Sequence, residues 1–414
     1  MRNVRTNTNI INNKKGLKKT AKTDITKIVG GKAMQIEIDK EKKKKLLIII
    51  SIIIAILIVI IFSFYIGNKE FRTFLDRYVL GKEITENNAV TIDISDQENV
   101  SVYAFDKYIT ILNKNKLALY TNTAKKEYEI EINISEAIYA SNNRFLMVAQ
   151  KNGQTLYQIS EGNVMWQKEL EGDIQKVDVN KNGYVSVITA GKLHKTIIVT
   201  FSPQGKELFK TYLSNTTCID TSISNDNKNL AIAEINTTGT LIESSIKIIS
   251  IEKAQTDPMN SVIEIYQSQS GQLIKNIEYQ DKNYLICMYD NEIKRIYKEQ
   301  NETIVSFPEN KITFANIKLN NYIIYTTEKS NNTQVTLTNV VTQKENIYIT
   351  GGATKSIRTH ENHIALNLGS EIHFITTNGW LTKKYTSKKE VKDIILGEKI
   401  AGIIYKDKIE VVNL

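Results

Sequence analysis

Two cysteines and four histidines are all the chain's 414 residues offer toward disulfide frameworks or transition-metal sites. That scarcity excludes a disulfide-held scaffold, a Cys-built zinc site and most His-rich metal sites. Tryptophan occurs only twice. Net positive charge is missing from most of the chain as well. Residues 1–45 hold 14 Lys/Arg against 4 Asp/Glu, whereas residues 46–414 hold 40 against 41. The formal charge of +9 therefore belongs to a basic tail on a neutral body. A uniformly basic nucleic-acid-binding domain is excluded, and no nucleic-acid partner is expected. Helical periodicity is absent beyond residue 84. Ser-x-x-Lys and Gly-x-Ser-x-Gly nucleophile patterns do not occur in a suitable context, and Gly30-Gly31 lacks the strand and helix of a phosphate loop.

One feature is present in excess. Residues 46–66 read LLIIISIIIAILIVIIFSFYI, 21 residues without a charge. A helix of that length matches the hydrocarbon thickness of a bilayer, about 30 Å. The membrane-anchor residues are the positions of this run, marked along it by Leu46, Ile50, Ile54, Ile58, Phe62 and Ile66. A cleaved signal peptide fits poorly. The preceding segment is long, the apolar run exceeds a signal core, and no small-x-small cleavage site follows. Lys42, Lys43, Lys44 and Lys45 abut the span, while Gly67-Asn68-Lys69-Glu70 on the other side is near neutral. The positive-inside rule makes those lysines the topology-setting residues. It puts the N-terminus in the cytoplasm and residues 67–414 outside the membrane.

The expected organisation has four parts: a disordered basic tail (1–45), a transmembrane helix (46–66), an amphipathic helical stalk and linker (67–88) and a β-domain (89–414). The tail has no aromatic residue and little apolar surface to offset its ordering entropy. Its lysines fix topology and solubility; a docking arm for anionic lipid or nucleic acid is the alternative reading. In the stalk, Phe71, Phe74, Leu75, Tyr78 and Val79 form one helical stripe, with Asn68 as N-cap and Gly81 as stop.

From about residue 89 the pattern has period two, in short runs separated by Asn, Asp, Gly or Lys clusters. The runs group in fours. Groups begin near Val100, Glu136, Ile174, Cys218, Leu273, Ile312, Lys355 and Val391, spaced by 36, 38, 44, 55, 39, 43 and 36 residues. About 40 residues and four strands per unit is the signature of a β-propeller. The last unit has only three strands, and AVTIDIS (89–95) precedes the first full unit unpaired, so it is expected to supply the fourth. The fold class is therefore all-β, a propeller of eight blades, with seven as the alternative and a sandwich pair as the third option. Gly162, Gly205 and Gly379 mark third-to-fourth-strand turns, near which Trp166, Phe209 and Trp380 are expected to dock on the adjacent blade. TTGTLIESS and EKAQTDPM read as insertions lengthening loops of one blade.

The lysine run, the single span, FRTFLDRYVLGKEI, VNKNGYVSVI and GKELFKTYL together resemble an uncharacterised family of Gram-positive bacterial proteins. The resemblance covers residues 42–414. It implies single-span, membrane-anchored propellers related to the PQQ-like and WD40-like repeat superfamily, and it carries no activity. Pyrroloquinoline quinone chemistry would need a tryptophan face, a carboxylate-held Ca²⁺ and a catalytic Asp. Two tryptophans near outer strands do not furnish it, and no cofactor is expected.

His360 and His363 form H-x-x-H, with His373 ten residues on, but in a strand-turn-strand context the two straddle a turn, and no metal site is assigned. Cys218 and Cys287 read as buried thiols, with an extracytoplasmic disulfide as the alternative. Carboxylates such as those in DISDQE and DVNK show no spacing that singles out an acid–base pair, so no catalytic residue is assigned. The expected function is a protein-interaction scaffold at the cell envelope. Its partners are the lipid bilayer and an envelope protein or wall component. A ligand-sensing or carbohydrate-binding propeller is the alternative. A hydrolase or lyase comes third and requires an acidic cluster converging in the central mouth.

Overall fold

The computed structural model describes residues 43–68, 71–72, 75–79, 89–96, 99–280, 283–307 and 312–414. The chain divides into two units, Met1–Leu80 and Gly81–Leu414. In the first, helix α1 (Lys43–Gly67) is, among the described residues, the one helix long and apolar enough to cross a membrane. No part of its apolar window is covered by protein. Asn68 caps the next turn, its Oδ1 accepting from Phe71 N at 2.9 Å. Phe71 packs edge-on against Phe64, ring centroids 5.9 Å apart, and Tyr65 Oη donates to Asp76 in a turn of π-helix, Leu75–Val79. Lys42, Gly81 and the linker to residue 88 lie outside the described residues.

The second unit is an eight-bladed β-propeller of four-stranded antiparallel sheets. Blades 1 to 7 span 101–131, 137–169, 174–213, 217–267, 274–306, 312–349 and 356–386. Blade 8 takes three strands from 393–413 and its outermost strand, Val90–Asp93, from the start of the domain. Val90 faces Val411 and Asp93 faces Lys408 in that pairing. Both ends of the repeat region thus meet in one sheet, as the unpaired segment 89–95 led us to expect, and the observed blade starts fall within two residues of those read from the sequence.

The burial pattern explains the layering. Second strands such as Phe145–Gln150 and Ile400–Ile404 are almost wholly buried and read as continuous apolar runs. Outer strands such as Lys126–Glu131 and Val262–Gln267 alternate between exposed and half-buried residues. Among the described residues eight apolar clusters occur, one at each junction between successive blades. A single sheet has no core of its own; its apolar faces are covered only by its neighbours.

The third-to-fourth-strand turns lock adjacent blades. Gly205 has φ +76°, and a Cβ there would lie 2.7 Å from the Trp166 ring of the preceding blade. Trp166 Nε1 donates to Pro203 O in the same turn at 3.1 Å. Gly162 receives the Tyr128 ring in the same manner. Phe209 is buried at the junction of blades 3 and 4. Trp380 is half-buried, and it is the Ile347 backbone of blade 6 that approaches Gly379.

One element departs from the all-strand reading. In blade 4, Ile251–Thr256 forms a short helix, α2, capped by the Ser250 hydroxyl, with a 3-10 turn at Pro258–Asn260. Six residues are too few to show a helical period, and Ile251 and Ala254 anchor it by burial instead.

A paired substitution tests the interlock. Gly205→Ala meets both left-handed strain and the Trp166 ring, whereas Gly271→Ala has φ +80° with nothing within 4 Å. Denaturant unfolding is expected to show the first costing about 1–3 kcal/mol more than the second. Equal losses would show that the ring does not press on this turn.

Candidate functional site

Inner strands point alternate side chains at the propeller axis, so polar residues two apart in these strands share the channel. Lys176 and Asp178 come from blade 3, Asp220 from blade 4, Glu278 from blade 5 and Lys318 from blade 6. Lys176 Nζ lies 2.6 Å from Asp220 Oδ1. Lys318 Nζ lies 3.2 Å from Glu278 Oε2 and 3.4 Å from Asp178 Oδ1, reaching three blades round the ring. The inner strand of blade 6 breaks register between Asn316 and Leu319, and Lys318 sits in that irregularity. Its backbone N–H is held by Asn316 Oδ1 at 2.6 Å.

Asp220 is fully buried and fully engaged. Besides Lys176 it accepts from Thr221 N at 3.0 Å, Ile277 N at 3.0 Å and Asn276 Nδ2 at 3.3 Å. It therefore pins the blade 4–5 junction as well as neutralising Lys176. The cluster holds three carboxylates and two ammonium groups. Burial pushes the Glu278 carboxyl up to about 7, against the pull of Lys318 and with help from Asp178 and Asp220. Burial raises Asp178 too, and Glu278 holds the Lys318 ammonium firmly protonated.

Above the cluster opens a cavity of about 470 Å³, on the face that carries the first-to-second-strand turns. Tyr103 and Tyr139 form part of its wall, stacked with centroids 4.9 Å apart, and Tyr103 Oη bonds Ser141 Oγ at 3.0 Å. Lys181, Asn225, His360 and Glu361 reach its rim. Burial, reinforced by His363, drops the His360 pKa to about 4, leaving that ring neutral. Amide side chains stitch the same face. Asn180 Nδ2 donates to Ser224 O and Asn227 Oδ1, Asn225 Nδ2 to Gln280 O, and Gln280 Nε2 to Ile317 O and Tyr322 O.

The acidic cluster required by a hydrolase thus converges, but Lys318 lies between Asp178 and Glu278 where a scissile bond would have to sit. Sequence reading recorded Asp178 only within a scattered DVNK and missed the other four members. The available signal was a charged residue inside the first strand of each of four successive groups, where a core strand would be apolar.

The remaining candidates fall elsewhere. His360 pairs with His363 across a two-residue turn, while His373 stands apart. Its Nε2 donates to Glu371 Oε2 at 3.1 Å, and its Nδ1 accepts from Tyr348 Oη at 2.9 Å. Cys218 and Cys287 are buried free thiols, and burial raises both pKa values. Leu46, Ile50, Ile54, Ile58, Phe62 and Ile66 are exposed along α1, with Lys43, Lys44 and Lys45 in its first turns.

The Glu278 carboxyl binds its proton more tightly folded than unfolded, about 7 against 4.5. Its burial therefore costs nothing below about pH 4.5, and stability is lost as pH rises towards 7. At about 1.4 kcal/mol per pKa unit, Glu278→Gln is expected to stabilise the protein by up to about 3 kcal/mol at pH 8 and to leave it unchanged at pH 4. Thermal melts at the two pH values check this. A loss of stability at pH 8 would contradict the charge count.

No curated protein sequence matches the chain. Among solved structures, BamB from Moraxella catarrhalis aligns with TM-score 0.47 and 10% identity, over 80% of this chain and 100% of that one. Chaetomium thermophilum Sqt1, bound to the N-terminus of the ribosomal protein L10, gives TM-score 0.49 and 9% identity over 80% and 100%. Citrobacter koseri AztD gives 0.45 and 11% over 70% and 87%. The propeller assignment itself rests on the strand order. Residues 83–414 match the "Family of unknown function (DUF5711)", and the chain belongs to that family.

Proposed function

We propose that this chain is a membrane-tethered propeller of a Gram-positive bacterium, serving as a protein-interaction scaffold at the cell envelope. In this reading α1 spans the cytoplasmic membrane with the N-terminus inside and the propeller outside. The lysine run before the span and the bare apolar surface of α1 support the tether.

The observation that carries the scaffold role is the outer edge of blade 4. Its strand Val262–Gln267 has a single charged residue, Glu264, and exposes Val262, Ile263 and Ile265. Met259, 92% exposed, extends the strip at one end, and Leu241 and Ile242 extend it at the other. The Ile242 loop is tied there by Gly271 N to Ile242 O at 3.3 Å. The edge of blade 1, Lys126–Glu131, is by contrast blunted by charge, while that of blade 6, Glu345–Ile349, also exposes two apolar residues, Ile347 and Ile349. An apolar edge strand with a single charge offers backbone groups and side-chain contacts to an added strand. A contiguous apolar strip on a folded protein marks an interaction site.

The ligand-sensing alternative finds its support in the central cavity. The hydrolase reading is weakened by the position of Lys318.

Two measurements test the proposal. Protease added to intact protoplasts is expected to digest the propeller while an N-terminal epitope stays protected, and the protein should resist alkaline extraction from membranes. Cross-linking in membranes is expected to recover a stoichiometric partner that disappears in the Ile263→Lys/Ile265→Lys variant, with the melting temperature unchanged. A protected propeller would overturn the topology. A wild-type chain that is monomeric and partnerless would overturn the scaffold role.

A further inference from the structure

We infer that the apolar outer edge of blade 4 seats a second copy of this chain, paired antiparallel about a two-fold axis through Ile265. The inference rests on the scaffold reading and names the partner of that same edge.

The backbone fixes which residues can pair. Ser268 N donates inward to Ser244 O at 2.9 Å. Backbone groups alternate in direction along a strand, so Tyr266 and Glu264 also bond inward, and Ile265 and Gln267 present theirs to the outside. The ladder to the third strand runs regularly from Gln267 to Glu264 and breaks at a bulge beside Ile263. Two identical antiparallel strands are related by a two-fold axis normal to their sheet, which sets odd residues against odd and even against even.

Charge and apolar surface select the register. An axis at Glu264 sets the strand's one charged residue directly against itself. An axis at Tyr266 sets Ile265 against Gln267 and parts the isoleucines. An axis at Ile265 sets Ile265 on its counterpart, brings both Ile263 side chains alongside, and places Glu264 opposite Tyr266 of the second copy. Within one chain Tyr266 Oη already donates to Glu264 Oε2, so carboxylate and hydroxyl are matched and can exchange partners across the axis.

The ends of the strip obey the same axis. Met259 lies six residues before Ile265, and Gly271 lies six after it. Gly271 N holds Ile242 O at 3.3 Å, so the Met259 end of one copy comes to Leu241 and Ile242 of the other. All three side chains are exposed in the single chain. Halves that complement each other under a two-fold axis define an isologous interface. These flanks are needed, because a short strand pair alone falls below the roughly 1,200 Å² of a stable interface. The blade 6 edge is crowded by the blade 7 turn. A Cβ on Gly379 of that turn would lie 3.3 Å from Ile347 O, and Asn346 Nδ2 donates to Thr377 O at 3.0 Å.

The test follows the full chain in detergent by light scattering over a concentration series. The wild type is expected to dimerise reversibly. Ile263→Lys/Ile265→Lys, which sets lysines against each other at the axis, should weaken the dimer about tenfold or more with the melting temperature unchanged. Ile347→Lys/Ile349→Lys should leave it intact. Under mild oxidation, Glu264→Cys copies mixed with Tyr266→Cys copies should form disulfide-linked heterodimers, since directly opposed positions lie within disulfide reach. Cys218 and Cys287 are buried and take no part. A wild type monomeric at every concentration, an equal loss in the blade 6 variant, or no disulfide-linked heterodimer would each overturn the inference. If the chain is monomeric while membrane cross-linking still recovers a different protein through the blade 4 edge, the scaffold reading stands and this inference alone fails.

Discussion

Everything in the β-domain depends on one antiparallel pairing, in which Val90–Asp93 lies against Lys408–Val411. Each blade has its apolar faces covered only by neighbours, so an open array would leave two faces bare. The clusters on either side of blade 8 contain Ile92, Ile94, Val411 and Val412, which brings the first and last residues of the domain into the core. The closure also fixes the axis, and with it the distance between blades 3 and 6 that Lys318 spans.

The propeller was legible because its physics is repetitive. Four period-two runs, a polar turn and about 40 residues recur eight times, and the three-stranded last unit pointed to the strand at 89–95. The glycine turns were legible for the same reason, since φ values such as +76° at Gly205 exclude most side chains. What docks on those turns was only partly readable. Trp166 was recognised, whereas Tyr128 against Gly162 follows from blade geometry, not from local sequence. Helix α2 escaped because it is held by two buried residues and a serine cap rather than by a periodic stripe.

The channel cluster shows where linear reading stops. Lys318 and Asp178 are 140 residues apart and meet only because a closed ring brings blade 6 opposite blade 3. Neither residue is unusual in its own strand. Their chemistry comes from company: three carboxylates and two lysines in a confined, partly dehydrated space, where burial outweighs attraction and lifts the Glu278 pKa. Had those positions been apolar, packing alone would fill the channel; charged residues there hold an aqueous mouth open beside a dry interior.

The order of elements along the chain has a mechanical consequence. The segment bearing α1 leads into Val90, the first residue of the strand that seals blade 8. Any tension applied through that segment therefore loads four residue pairs of the seal before it reaches any other blade. The clasp of the ring is thus the part that such a pull would unbutton first.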